Sequence, residues 1–366
     1  MNARQRVFTA LRRQELPDRV PLQFDLCHSL LAAFCDQYGL PMQLTHSYFE
    51  DLTYRISCND LRTTMGSDVV VVGGGLPAGY THPTTDDGAY INEFGLKMRP
   101  GPLYAEIVGA PLVDVTSVNE VERFPFPDPL AEGRFEAAQR DIAAYRDNYF
   151  IVGDLEGTVF AFARHMVGME KLLMDMALGE PYVEALFDRI MTFNLALGQR
   201  LIELGVDAIW TGDDIGGQNA LLMSPRMWRK YFKPRYAAMF AAFKAANPEV
   251  ILAYHSDGVV APVLDELIEI GVEVFNPVQP NVPGHESEAL KSRFGDRLAF
   301  WGAIDQQQLL PHGSPEDIAA DVATKIRTLG AGGGYLCAPA HIIQADVSMA
   351  NVEAFIAAVR QHGVYT

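Results

Sequence analysis

The sequence predicts an α/β fold in which parallel strands alternate with helices and close into a barrel. Three observations carry that reading. Apolar runs of strand length alternate with helical stretches from about residue 149 onward, a spacing that favours a parallel sheet with crossover helices. One run after another ends in ionisable or amide side chains: Ile151-Val152 leads to Asp154 and Glu156, Trp210 to Asp213 and Asp214, Leu252 to His255 and Asp257, Phe275 to Asn276 and Gln279, Trp301 to Asp305, and Leu336 to His341. In a parallel barrel the C-terminal strand ends converge on one face, so these residues would share one mouth. An open doubly wound sheet is disfavoured because no GxGxxG follows the first strand; Gly73-Gly74-Gly75 is too short and lacks a helix start.

The opening MNARQRVFTALRRQE reads as an amphipathic helix with Val7, Phe8 and Leu11 on one face. It lacks the apolar stretch of a secretory signal. Val20 to Phe24 and Asp68 to Gly73 read as strands, and Tyr80 to Met98 as a hairpin insertion. Tyr149 to Gly153 is a buried strand. Met169 to Leu204 is helical with a break at Gly179-Glu180-Pro181, where Pro181 suits a first helical turn.

Val206 to Thr211 is the next strand. Ser224-Pro225 opens a helix through Phe232, with Ser at the N-cap, and a second helical piece runs from Pro234 to Ala246. Val250 to Tyr254, Val272 to Phe275, Leu298 to Trp301 and Gly334 to Cys337 complete the strands. Between them lie helices at Pro262 to Ile270, His285 to Phe294 and from Ser314-Pro315-Glu316 to the glycine run at 330–334. Met349 to His362 closes the chain and Gly363 stops it. No low-complexity linker divides the chain, so residues 1–366 are expected to be one domain.

Composition narrows the function. The 366 residues are 49% hydrophobic and 20% charged, ample for one large core, and the formal charge is −17. Nucleic acid and anionic membrane surfaces are not expected partners, since each needs a basic face. The longest apolar stretches, such as Tyr236 to Phe243, fall well short of the ~20 residues of a membrane span. Four cysteines, Cys27, Cys35, Cys58 and Cys337, make no CxxC pair and suit a reducing cytoplasm.

Within the expected mouth, His255-Ser256-Asp257 places a histidine and an acid two residues apart past a buried strand. They are able to bind a metal or share a proton, or equally to serve as a strand-end hydrogen bond and a helix cap. Asp213 and Asp214 lie between glycines in GDDIGGQN. That spacing permits close backbone approach and a raised acid pKa for general acid work, or capping of the next helix. Asp154 and Glu156 offer substrate contacts or a cap, and His341 is placed to face His255 across the mouth. Asn276 is a candidate donor to the substrate or a turn former. Gln218 and Gln279 are further candidates for substrate binding.

These segments together resemble the uroporphyrinogen decarboxylase superfamily: RQRVFTALRRQELPDRVP, GDDIGGQNALLMSPRMWRKYFKPRY, AYHSDG, VFNPVQP, WGAIDQQQLL and GAGGGYLCAPAHII. The resemblance implies a (β/α)8 TIM barrel with an N-terminal helical extension, the site lying in its mouth. It also implies one of two activities. True decarboxylases carry an arginine-rich segment after the first strand, where this chain reads Pro21-Leu22-Gln23-Phe24-Asp25-Leu26-Cys27-His28. That lack disfavours a polycarboxylate substrate.

The other branch transfers methyl groups from a corrinoid, and its thiol-alkylating members hold zinc through His-x-Cys and a later Cys. Here His255, Asp257 and His341 fall at those places, a harder set that still suits zinc. The expected function is therefore methyl transfer between a corrinoid on a partner protein and a small acceptor or donor such as a thiol or tetrahydrofolate. Asp213, Asp214, Glu156 and His255 are the acid-base candidates. A cofactor-independent decarboxylase is the alternative, and a passive binder of a ligand or corrinoid is disfavoured by the density of ionisable groups. A homodimer is among the assemblies expected.

Overall fold

The computed structural model describes residues 1–49, 54–101 and 104–365, with Glu156 described by its backbone alone. Seven parallel strands form one sheet in chain order: β1 (Val69–Gly73), β2 (Phe150–Glu156), β3 (Ala208–Gly212), β4 (Ile251–His255), β5 (Val274–Val278), β6 (Ala299–Ile304) and β7 (Tyr335–Pro339). Every residue of β1 and of β3 to β7 is buried. Such strands carry helices on one side and a filled interior on the other, which explains their near-continuous apolar runs.

The expected eighth strand, Val20 to Phe24, does not form a ladder. Pro21 has no N–H to give, and its carbonyl instead accepts from Cys337 N at 2.9 Å, while Gln23 N donates to Cys337 O at 3.1 Å. On the other side Asp68 N donates to Leu22 O at 2.8 Å, and the Asp68 carboxylate takes the Leu22 N–H. The segment thus spans the gap between β7 and β1 through single bridges, giving a curled seven-stranded sheet rather than eight regular strands.

The sheet separates two apolar clusters. The interior is filled by alternate strand residues, including Val71, Val152, Trp210, Ala253, Val274, Trp301 and Leu336, with Val7 and Leu11 of the Ala3–Arg12 helix added from one end. That helix therefore closes one end of the curled sheet's interior, as its apolar face requires. The outer cluster lies between the sheet and the surrounding helices.

Other elements follow the sequence with local differences. The break at Gly179 separates helices Met169–Leu178 and Pro181–Leu204. The two helical pieces expected after Ser224 form one run, with a wide π turn at Trp228–Phe232 just before Pro234. Proline at an interior position removes a donor and crowds the preceding turn, and widening relieves both. β5 continues through Asn276 and Pro277 where a turn was expected. The insertion is a three-stranded antiparallel sheet, Tyr90–Ile91, Lys97–Arg99 and Glu106–Gly109, longer than the hairpin read from the sequence. None of the helices among the described residues is long and apolar enough to cross a membrane.

Candidate functional site

The register of the sheet assembles the site. Gly212 of β3 lies opposite His255 of β4, and His255 opposite Asn276 of β5. Gly212 is required there: its φ is +141°, and a Cβ would sit 2.0 Å from the His255 carbonyl oxygen. The following loops touch backbone to backbone as well, since a Cβ on Gly258 (φ +73°) would meet Gly216 at 2.5 Å. This contact sets Asp214 beside Asp257, whose N–H donates to Asp214 Oδ1 at 3.2 Å.

Four side chains converge. His255 Nε2 lies 3.5 Å from Asp214 Oδ1 and 4.0 Å from Asp257 Oδ1, and His341 Nε2 lies 3.8 Å from Asp257 Oδ2. The imidazole centroids are 6.5 Å apart. On the opposite ring nitrogen, His255 Nδ1 is 2.7 Å from Asn276 Oδ1, which also accepts from Trp210 Nε1 at 3.1 Å. Indole is a donor only, so the Asn276 oxygen faces both partners and His255 carries its proton on Nδ1. Nε2 is left to face the acids.

Burial would lower the pKa of His255, but the hydrogen bond to Asp214 and the charges of Asp257 and Asp214 outweigh it and hold it above the usual value. For Asp214 burial acts upward, and His255 and Arg164 outweigh it and keep the carboxyl well below the usual range. His341 is lowered, chiefly by burial.

The mouth is a pocket of about 430 Å³ lined by Tyr48, Phe49, Arg55, Asp154, Arg164, His165, Asp214, His255 and His341, with Tyr104 to Ile107 of the insertion at its rim. Its floor is a stack: the Arg55 guanidinium lies 4.1 Å from the Trp210 ring centroid, and Trp210 lies 4.4 Å from Trp301. Asp154 has a carboxyl pushed up to about 6 by burial, against the pull of Arg55 at 3.9 Å.

The expected site residues do not all reach this pocket. Asp213 is turned away and is 1% exposed. Its carboxylate accepts from Val159 N and Ala161 N, both at 2.9 Å, and from Tyr236 Oη at 2.7 Å, so it caps the Phe160–Val167 helix instead of facing the mouth. Burial raises its pKa against those donors. Gln218 is exposed and its Nε2 donates to the Asn281 carbonyl at 3.2 Å, outside the pocket lining. Gln279 accepts from Gly258 N at 2.7 Å and holds the Asp257 loop. Asn276 orients His255 rather than lining the mouth pocket. The side chain of Glu156 lies outside the described residues.

Two cations in the mouth were not anticipated from the sequence as site residues. Arg55 and Arg164 come from a loop and a helix distant from residues 21–28, so the missing arginine segment does not leave the mouth without positive charge. Arg164 Nη2 donates to Asp214 Oδ2 at 3.1 Å. It sits just over one turn into the helix that follows β2, and no sequence pattern tied that position to the mouth.

Ionisable groups gathered at the C-terminal ends of a curled parallel sheet occupy the place where the active sites of (β/α)8 enzymes lie. Residues 93–362 match the family described as uroporphyrinogen decarboxylase (URO-D), and the chain belongs to that family. The uroporphyrinogen decarboxylase of Psychromonas ingrahamii is 24% identical over 279 residues, 72% of this chain and 74% of that protein. The one from Pseudoalteromonas translucida is 39% identical over 71 residues, 19% of this chain and 20% of that protein. Among solved structures, a methyltransferase from Methanosarcina mazei superposes with a TM-score of 0.71 at 20% identity, covering 99% of both chains. At that identity the likeness speaks for the fold.

Proposed function

We propose that this protein is a methyltransferase that moves a methyl group between a corrinoid carried by a partner protein and a small acceptor or donor bound in the barrel mouth. The observation that carries the reading is the donor set. Ligand atoms of Asp214, His255 and Asp257 lie within 4.8 Å of one another, and His341 adjoins Asp257. Ligands of tetrahedral zinc sit about 3.3 Å apart, so separations of 3.5 to 4.0 Å fit the ion with small side-chain shifts. His255, Asp257 and His341, with Asp214 joining them, would hold zinc. When bound it would supply a Lewis acid that lowers the pKa of a thiol or hydroxyl.

The protein's own contributions follow from the geometry. Asn276 retains the Nδ1 proton of His255 and so presents Nε2 as a lone pair, the usual outer support of a metal-ligating imidazole. Arg164 holds Asp214 ionised and in place. The Arg55 guanidinium stacks on Trp210, which in turn stacks on Trp301, beneath the mouth. The open side of the mouth is where a methyl carrier would approach, and transfer requires the two reacting groups held in line.

Metal analysis of the purified protein and of His255→Ala tests this reading together with methyl transfer from methylcobalamin to a panel of thiols and tetrahydrofolate. Stoichiometric zinc, lost in the variant, and cobalamin demethylation are expected. Metal-independent release of CO2 from a carboxylic acid would instead favour the second reading, a decarboxylase. Arg55 and Arg164 in the mouth and the raised Asp154 carboxyl support that alternative.

A further inference from the structure

The mouth has two features beyond its metal-ligating side chains: a cation with open donors, and an aromatic wall. Arg164 lines the pocket, and among the described residues the only hydrogen bond of its guanidinium is the one from Nη2 to Asp214. A guanidinium has five N–H groups in a planar fork, so several remain for a ligand. Phe49 stacks on Phe162 at 3.9 Å and on His165 at 5.6 Å, the latter nearly parallel at 7°. Phe162 and His165 are one turn apart on the helix that also carries Arg164, so the cation and the wall are held by the same element. Tyr48 extends the wall, and its hydroxyl is committed to Asn194 at 3.1 Å.

The lining carries two guanidinium groups among the acids Glu106, Asp154 and Asp214. Asp214 is paired with Arg164, and Arg55 supplies a second buried cation. A volume of about 430 Å³ suits a small organic molecule. We infer that the mouth binds a flat aromatic carboxylate, its carboxylate on the Arg164 guanidinium and its ring against Tyr48 and Phe49. This names the substrate class of the proposed function and rests on the mouth being its substrate site. The planar fork matches a carboxylate in two parallel hydrogen bonds, and the ring buries apolar area that an aliphatic acid of similar length would leave uncovered.

Calorimetric titration of the full chain with benzoate, benzamide and cyclohexanecarboxylate, with and without added zinc, tests the inference. Benzoate is expected to bind about tenfold or more tightly than benzamide, the ratio a charge-assisted pair produces. Arg164→Met is expected to erase that preference, and Arg164→Lys to restore part of it. Phe49→Leu should weaken benzoate more than cyclohexanecarboxylate. Equal binding of benzoate and benzamide by the wild type, no binding of benzoate, or a preference that survives in a folded Arg164→Met protein would overturn the inference. Binding needs no turnover, so absence of zinc or of methyl transfer alongside the expected titrations would reject the proposed reaction and leave the ligand class standing.

Discussion

Replacing Asp213 separates a capping carboxylate from a catalytic one. In the structure this buried side chain accepts from Val159 N, Ala161 N and Tyr236 Oη at 2.7 to 2.9 Å. Asp213→Ala would leave all three donors unpaired inside the protein. A hydrogen bond to a charged group contributes about 1.5–3 kcal/mol, and a stranded buried donor costs about 1–3 kcal/mol. These terms overlap, and the carboxylate loses its own desolvation cost when it is removed. The net expected loss is therefore about 4 kcal/mol, with roughly 1 kcal/mol of it the helix cap itself. Asp213→Asn keeps one oxygen for the backbone donors and should lose about half as much. Urea denaturation followed by circular dichroism measures both, with catalytic rates taken on the folded fraction. If Asp213→Ala unfolds within 1 kcal/mol of the wild type, the capping account is wrong. A rate loss of two orders of magnitude in a fully stable Asp213→Asn would restore the acid-base role that the sequence suggested.

Other substitutions probe the rest of the site. Asn276→Leu strands the His255 and Trp210 N–H groups; zinc affinity should fall about 10- to 100-fold, read by competition with a chelator, and unchanged affinity would remove Asn276 from the site. Asp257→Ala and His341→Ala should each lower zinc content, and retention of full metal and activity in both would sink the metal assignment. Asp154 has a folded pKa of about 6 against 3.8. Raised acids bind their proton more tightly when folded, so its contribution turns unfavourable as pH rises from about 4 to 6. Asp154→Asn should therefore gain stability relative to the wild type between pH 4 and pH 7, by up to about 3 kcal/mol, and a flat difference across that range contradicts the shift. Gly198→Ala would drive a Cβ to 2.3 Å from the Phe243 ring and 2.7 Å from Leu155; a loss of about 1–3 kcal/mol in denaturation is expected, and a neutral result would mean the helix moves freely off the sheet.

Local chemistry made much of the fold legible in the sequence. The strands from β2 to β7 are short apolar runs between helical stretches, and the Ala3–Arg12 helix shows its apolar face in the spacing of Val7 and Leu11. Ser-Pro pairs and Gly179 marked helix ends because caps and breaks are decided by a few neighbouring residues. The histidines are legible too: a parallel barrel brings strand ends together whatever their separation in the chain, so strand-end position alone groups His255, Asp257 and His341.

What the tertiary structure alone decided was direction. Asp213 and Asp214 are adjacent, yet one caps a helix inside the protein and the other faces the mouth, and no local pattern distinguishes them. Asn276 reads locally as a turn residue, and only the β4–β5 register sets it beside His255. The cations of the mouth arrive from Arg55 and Arg164, on segments with no sequence signature linking them to the strand ends. Closure at residues 20–24 depends on a side chain, Asp68, taking a backbone donor that a regular ladder would have used. The sequence determined which residues sit at strand ends, because periodicity and capping act over a few residues. Which side chains meet there was decided by register and loop packing, because those contacts join residues far apart in the chain.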